Sequence, residues 1–425
     1  MAAEPIDGRS AGELTTHRRY VIVGINYAPE LSGIGLYTTA MAERLAHIGH
    51  EVTIVTGMPH YPHWHVREPY RGKLSSSEHG NGVRILRFAG YIPARQSALK
   101  RAVYEASFLV NASRAVRNLR SPEAIVSVVP ALADAVLARF FAARLGAPYG
   151  VIFQDMMGRS AAQSGIAGGG RVASATTWLE GWAARRAKAV GTVTDRFIPE
   201  LVKVGIERNR IVHLPNWNQV KPPAGDRAAT RARLGWDEGE TVILHAGNMG
   251  LKQNLEQVLV AARLGAKRAA GVRFAFIGDG SQRQRLQEDA ADLLNVSFHG
   301  FEPMSTFPDV LAAADILLVS ERASAADMSL PSKLTSYFAA GRPVVAAVAL
   351  DGATAQEIKR SGGGTVVSAG NPEELLGTIR NLGQDGAHAH RIAEAGQAYA
   401  ADTLAPEPAL MRLEQFFERV AGKPA

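Results

Sequence analysis

The 425-residue chain has no cysteine. That excludes disulfides, zinc–thiolate sites, iron–sulfur clusters and thiol catalysis, and it fits a reducing cytoplasmic setting. There is no Asp-x-Asp pair, so no catalytic metal is expected. No apolar run reads as a membrane span. The most apolar stretch, Ala124 to Phe153, is broken by Pro130, Asp134, Arg139, Arg144 and Pro148. Residues 1–19 carry Glu4, Asp7, Arg9 and Glu13 without an apolar centre, so they read as a disordered tail rather than a secretory signal. Two enzyme signatures are also missing. Gly24-Ile25-Asn26 does not supply the tight glycine fingerprint of a dinucleotide fold, and no acid pair stands out for glycoside hydrolysis.

Hydrophobic residues make up 46% and charged residues 20%, the composition of a globular chain of two to three domains. The formal net charge of +7 is local. Eleven basic residues fall between 61 and 120 (Arg67, Arg71, Lys73, Arg84, Arg87, Arg95, Lys100, Arg101, Arg114, Arg117 and Arg120), against Glu68, Glu78 and Glu105. Tyr61, Trp64, Tyr70, Phe88, Tyr91, Tyr104 and Phe108 are interleaved with them. Basic plus aromatic suits an anionic membrane surface or a lipid phosphate, with a plain solvated face as the alternative. No nucleic-acid motif accompanies the charge, so no nucleic acid is expected.

Apolar runs predict strands at Tyr20–Ile25, Glu51–Thr56, Val83–Phe88, Ala124–Val129, Tyr149–Phe153 and Ala189–Thr194. After a proline-bearing connection, Ile211–Pro223, the alternation restarts. The second set is Thr241–Ala246, Val272–Ile277, Val296–Phe298, Ile316–Ser320, Pro343–Ala347 and Thr365–Val367. Helical patterns lie between, including Asn254–Lys267, Arg283–Leu294 and Lys333–Ala340. The expected fold is α/β: two doubly wound Rossmann-like domains, 20–218 and 219–403, facing a central cleft. A last helix within 404–425 is expected to pack back on the first domain.

Ligands of open α/β sheets bind beyond the carboxyl ends of the strands, where helix N-termini favour phosphate. Three loops there stand out. The first runs Ala28-Pro-Glu-Leu-Ser-Gly-Ile-Gly-Leu-Tyr37, and Gly33 and Gly35 either admit a phosphate or simply make a turn. In the second, His245-Ala-Gly-Asn-Met-Gly-Leu-Lys-Gln253, a cation sits beside a helix start, which suits a diphosphate at Lys252. The third, Ser329-Leu-Pro-Ser-Lys333, leads into a helix that Ser332 is placed to cap. Ile277-Gly-Asp-Gly280 and Phe298-His-Gly-Phe301 end strands on the same side.

In order and spacing, several stretches resemble the family-4 retaining glycosyltransferases, which have the GT-B fold. They are Asn26–Tyr37, Gly49–Thr56, Leu214–Trp217, Gly247–Gln253, Gly278–Gly280 and Leu330–Thr335 with Gly341–Val344. Within that family the chain is most similar to the colanic-acid (WcaI-like) exopolysaccharide enzymes. The resemblance spans about Tyr20 to Ala400 and implies a hexosyltransferase with a UDP- or GDP-linked sugar as donor and no other cofactor. Gly33 and Gly35 would then meet the donor diphosphate, and Lys252 would neutralise it as it leaves. Gly278 and Gly280 would flank the nucleoside, and Gly300 and Phe301 the base. Leu330, Ser332 and Lys333 would meet the sugar and phosphates. Three features depart from the pattern. Asn248 stands where relatives carry arginine. Met328 and Ser336 stand where they carry two glutamates, the second of which holds the ribose. Gln154-Asp155 replaces a His-Asp pair.

The acceptor is expected on the first domain, contacted by Tyr37, His60, Tyr61, His63, Gln154 and Asp155. His60 and Asp155 join Lys252 as catalytic candidates. A polyprenyl-diphosphate-linked sugar at the inner membrane face would account for the basic window. Two rival readings remain: a nucleotide-sugar epimerase, and a nucleotide-sugar-binding protein without catalysis.

Overall fold

The computed structural model describes residues 17–30, 33–61, 64–93, 97–156, 169–268, 271–325 and 332–422. Among the described residues, fourteen strands form two sheets. The first holds β1 (Arg19–Val23), β2 (Glu51–Gly57), β3 (Ser75–Gly80), β4 (Val83–Phe88), β5 (Ala124–Val129), β6 (Tyr149–Phe153), β7 (Ala189–Thr192) and β8 (Ile211–His213). Their order is β3-β4-β2-β1-β5-β6-β7-β8. The second holds β9 (Thr241–Ala246), β10 (Val272–Ile277), β11 (Val296–His299), β12 (Ile316–Ser320), β13 (Val344–Val348) and β14 (Gly364–Ser368). Their order is β11-β10-β9-β12-β13-β14. The chain divides into two compact units: Met1–Val151 together with Phe417–Ala425, and Ile152–Phe416.

In the first unit, Tyr20 pairs in register with Val52 on one side and Ala124 on the other, both parallel. The chain moves one way from β1 to β2 and the other way at β5, so a topological switch lies between β1 and β5. The helix Pro406–Ala421 brings the Phe417 ring to 5.1 Å from that of Tyr20. β3 has no counterpart among the expected strands. Its sequence, Ser-Ser-Ser-Glu-His-Gly, lacks the branched and aromatic residues that mark strands, and it pairs antiparallel to β4.

In the second unit the six-stranded sheet is parallel, with its switch between β9 and β12. Side chains alternate faces. Val242, Leu244 and Ala246 pack with Ile277, Val319, Tyr337 and Phe338, whereas Ile243 packs with Phe276, Leu318, Leu259 and Ile379. The helix expected over Arg283–Leu294 ends at Asp289. The chain then turns so that Leu293 packs into the core and its carbonyl accepts Val296 N at 3.2 Å.

One buried cation ties this unit together at the opposite sheet edge. Arg231 is fully buried, and its guanidinium donates to the carbonyls of Ala313, Asp237 and Glu240 at 3.1, 2.6 and 2.7 Å and to Asp315 Oδ2 at 3.1 Å. Removing it takes the guanidinium donors from the carbonyls of Ala313 and Glu240 and leaves Asp315 with Val242 N and the more exposed Arg227. Arg231→Ala is expected to destabilise the fold by about 3–5 kcal/mol, read as a lower urea midpoint for the folded chain.

Candidate functional site

At the C-terminal edge of the second sheet, the loops after β9 and β10 are locked together. Gly247 N donates to Ile277 O at 2.8 Å and Met249 N to Asp279 O at 2.8 Å. Gly278 N continues the ladder to His299 O at 3.2 Å. Gly278 has φ +124°, and a Cβ there would lie 2.2 Å from Gly247 O. A Cβ at Gly280 would lie 2.5 Å from Met249 O. Backbone approach alone therefore requires both glycines. Gly300 has open space around it, and the neighbouring Phe301 ring is exposed.

The charged groups gather at the switch point itself. Glu321, just past β12, is buried. Its N donates to Ala347 O at 3.0 Å and its Oε2 accepts the Thr354 hydroxyl at 2.7 Å. Its Oε1 lies 3.5 Å from Lys252 Nζ. Lys252 sits on the turn Leu251–Gln253, with its side chain about one quarter exposed. Lys333 opens the helix Lys333–Ala339, and its Nζ lies 3.3 Å from Nε2 of His245 on β9. Tyr337 pins that helix to β9. Its hydroxyl accepts Ala246 N at 2.8 Å and donates to Ala246 O at 3.2 Å. Burial lowers the Lys333 ammonium to about 7; Glu321 pulls the other way, and Lys252 adds to the lowering. Burial, then Lys333, hold His245 well below the ordinary histidine range, so its ring is neutral.

The other donor-side residues fall around this cluster. Asn248 is exposed, and its carbonyl lies 3.3 Å from His245 Nε2. Ser336, half-buried, is one turn beyond Lys333. Ser332 makes no side-chain cap. Its φ and ψ of −58° and −24° are already helical, whereas a capping side chain needs extended backbone. Leu330 and Met328 lie outside the described residues, as does His63. Glu321 lies in none of the sequence motifs, and His245 opens one of them without a role there. The only signal for Glu321 is an acid directly after an apolar strand run.

The first unit builds a second polar cluster after β1. Glu30 is buried. Its Oε1 accepts the backbone N of His60 and Tyr61 at 2.8 and 2.9 Å, and its Oε2 accepts Asn26 Nδ2 at 2.8 Å. His60 is buried too. Its Nδ1 donates to Met58 O at 2.8 Å, which leaves Nε2 to accept the Tyr104 hydroxyl at 3.0 Å. Gly33, at φ +64°, faces the Tyr61 ring, and Gly35 packs on Glu30 and Asn26. Tyr37 is buried in the core of this unit. Beneath them Asp134 accepts Ile25 N at 3.1 Å, and burial raises its carboxyl well above the usual range. Glu30, the organiser of this cluster, lies inside the Ala28–Tyr37 loop, where its residue type alone suggests no role. In the second unit, Gln154 Oε1 accepts Asn216 Nδ2 at 2.8 Å, and Asp155 Oδ1 accepts Met156 N at 2.8 Å. Among the described residues no group of three or more metal-ligating side chains gathers.

The model of the Glycosyl transferase 4-like domain matches residues 32–217, and that of Glycosyl transferases group 1 matches residues 226–399. The putative colanic acid biosynthesis glycosyl transferase WcaI of Escherichia coli (strain K12) is 34% identical over 335 residues, covering 76% of this chain and 81% of that protein. Two solved structures share the fold. Sucrose-phosphate synthase from Thermosynechococcus elongatus has TM-score 0.74 and 15% identity, covering 95% of this chain and 99% of that one. Anabaena HepE in complex with UDP-glucose has TM-score 0.69 and 16% identity, covering 95% and 100%.

The unfolded chain keeps the Lys333 proton up to its ordinary 10.5, the folded chain only to about 7. The unfolded state thus binds more protons between these values, and this group's contribution to stability rises with pH across the window. Relative to Lys333→Met, the native protein is expected to gain at most about 1.4 kcal/mol per pH unit from pH 7 upward. Urea unfolding of both proteins at pH 7, 8 and 9 measures it.

Proposed function

The chain belongs to the glycosyltransferases that join a 4-like domain to a group 1 domain, and from that membership we propose that it moves a hexose from a nucleotide-diphosphate sugar, uridine- or guanosine-linked, to a glycan acceptor. The anomeric configuration is retained, and the reaction belongs to exopolysaccharide assembly. The observation that carries this reading is the pair of lysines at one strand end, Lys252 with its Nζ 3.5 Å from the buried Glu321 and Lys333 with its Nζ 3.3 Å from His245 Nε2, each sensing the other's charge.

As the sugar C1–oxygen bond to the diphosphate breaks, negative charge grows on the departing oxygen and the sugar becomes oxocarbenium-like. Lys252 and Lys333 supply positive charge to that oxygen and its phosphates. Lysines take the place that a divalent cation would fill, in keeping with a sequence that has no Asp-x-Asp pair. The acceptor hydroxyl attacks from the face the diphosphate leaves, and its proton passes to the departing phosphate oxygen. Asn248, Ser332 and Ser336 are assigned to the donor, with Gly300 and Phe301 at the base. Gly278 and Gly280 hold the nucleoside loops in register.

On the acceptor side we assign contact to Tyr61, His63, Gln154 and Asp155. His60 has both ring nitrogens engaged, with Met58 O and the Tyr104 hydroxyl, so its ring braces this loop. A polyprenyl-diphosphate-linked sugar suits an enzyme that works on the inner face of an anionic membrane. Among the described residues no helix is long and apolar enough to cross one.

Incubation with UDP- and GDP-sugars and a polyprenyl-diphosphate-sugar acceptor tests the reaction. Acceptor-dependent nucleotide release with a mass gain of one hexose is expected. Lys252→Ala should lower turnover by about two to three orders of magnitude. Donor binding without any product would favour the non-catalytic binding protein instead, and acceptor-free conversion of the nucleotide sugar to an isomer of equal mass, without net nucleotide release, the epimerase.

Donor binding should also be proton-linked. A diphosphate beside Lys333 raises its proton affinity, so UDP-glucose binding at pH 8 takes up a proton and weakens by up to about tenfold per pH unit above 7. Calorimetry in two buffers of different ionisation enthalpy reads the uptake, which Lys333→Met abolishes.

A further inference from the structure

The helix Ala98–Ala112 in the first unit is amphipathic in an unusual sense. Its inner face is apolar: Tyr104, Phe108 and Ala112 are buried in the core. Its outer face is apolar as well. Leu99 is 76% exposed, Val103 45% and Val110 62%, with the exposed Ala106 between them. The spacing i, i+4, i+7, i+11 makes one continuous stripe. Two more exposed apolar side chains, Leu74 and Tyr91, belong to segments docked on this helix or beside it. Tyr91 N donates to Ser107 Oγ at 2.7 Å, Asn111 Nδ2 to Ala89 O at 2.8 Å, and Ala89 N to Leu74 O at 2.9 Å.

The charges around the stripe are of one sign. The helix has a single acid, Glu105, and it is turned inward. Its Oε2 accepts Leu132 N at 2.8 Å, at the start of the helix Leu132–Leu145, and its Oε1 accepts Arg101 Nε at 3.1 Å. The other two acids of the basic window are also neutralised, Glu78 by Arg87 and Glu68 by Arg71. Lys73, Lys100, Arg114 and Arg117 remain exposed at the ends and flanks. A protein partner with its own mixed charges gains little from an apolar stripe rimmed only by cations. A bilayer with anionic headgroups matches both parts at once, because long basic side chains reach the phosphates while the stripe enters the acyl boundary.

We infer that the outer face of this helix, with Leu74 and Tyr91, is where the protein lies on an anionic membrane. The inference deepens the acceptor half of the proposed function and rests on it for the reason a membrane is there; the surface itself stands on the exposure and charge just described. Of the aromatics interleaved with the basic window, Phe88, Tyr104 and Phe108 belong to the core, and Tyr91 faces outward.

The test is flotation of the full-length protein with vesicles of phosphatidylcholine alone or with about 30% phosphatidylglycerol. Uptake by the anionic vesicles only is expected, weakened in high salt. The double variant Val103→Glu, Val110→Glu should lose at least about tenfold in partitioning, and Lys100→Glu severalfold. Val103→Leu should keep it. The substituted positions are exposed, so unchanged thermal midpoints check folding. Absence of uptake by the native protein overturns the inference, as does uptake indifferent to Val103 and Val110. A native dimer in sedimentation that the double variant dissociates gives the face to self-association and also overturns it. Vesicle uptake needs no sugar donor, so a failure of hexose transfer leaves this readout standing. Transfer to a soluble acceptor is in turn unaffected if only the membrane face is wrong.

Discussion

A strand that pairs parallel to its predecessor can be reached only after the chain has returned across the sheet. Every strand of such a sheet therefore ends on the same edge, and the loops leaving that edge diverge where the order reverses. In the second unit that point lies between β9 and β12. His245 near the end of β9, Glu321 just past β12, Lys252 on the turn after β9 and Lys333 at a helix start are far apart in sequence. The parallel topology brings them to one place, so the chemistry of the site follows from the sheet.

The charge arrangement there is unbalanced. One carboxylate, held by the Thr354 hydroxyl, lies beside the Lys252 ammonium and also favours the charged form of Lys333. A carboxylate fixed in this way sets the position of Lys252 without cancelling both cations. Lys333 is half-buried beside a neutral imidazole, so its charge is costly there. The site thus carries less charge than its residue types suggest.

Much of this is legible in the sequence. Continuous apolar runs locate most strands, and their alternation with helices points to two doubly wound sheets. Ser75–Gly80 is not legible, because an edge strand of serines is stabilised by its partner rather than by its own propensity. Gly278 and Gly280 stand out as ligand-facing glycines. The backbone approach of Gly247 and Met249 explains them, and no spacing along the chain distinguishes these two causes. Glu30, His245 and Glu321 are hidden for a common reason. A lone polar residue near a strand end looks ordinary until the tertiary fold shows what it holds. Ser332 shows the reverse case: a good capping residue whose backbone does not take the capping conformation.

The locked loops after β9 and β10 contrast with the end of β11. A side chain added at Gly278 or Gly280 collides with main chain that cannot yield, whereas one added at Gly300 meets empty space. Variation is therefore tolerated unevenly across a few ångströms. Over evolutionary time, and equally in a designed library, new side chains can be introduced at residue 300 without disturbing the framework, while the neighbouring glycines stay fixed.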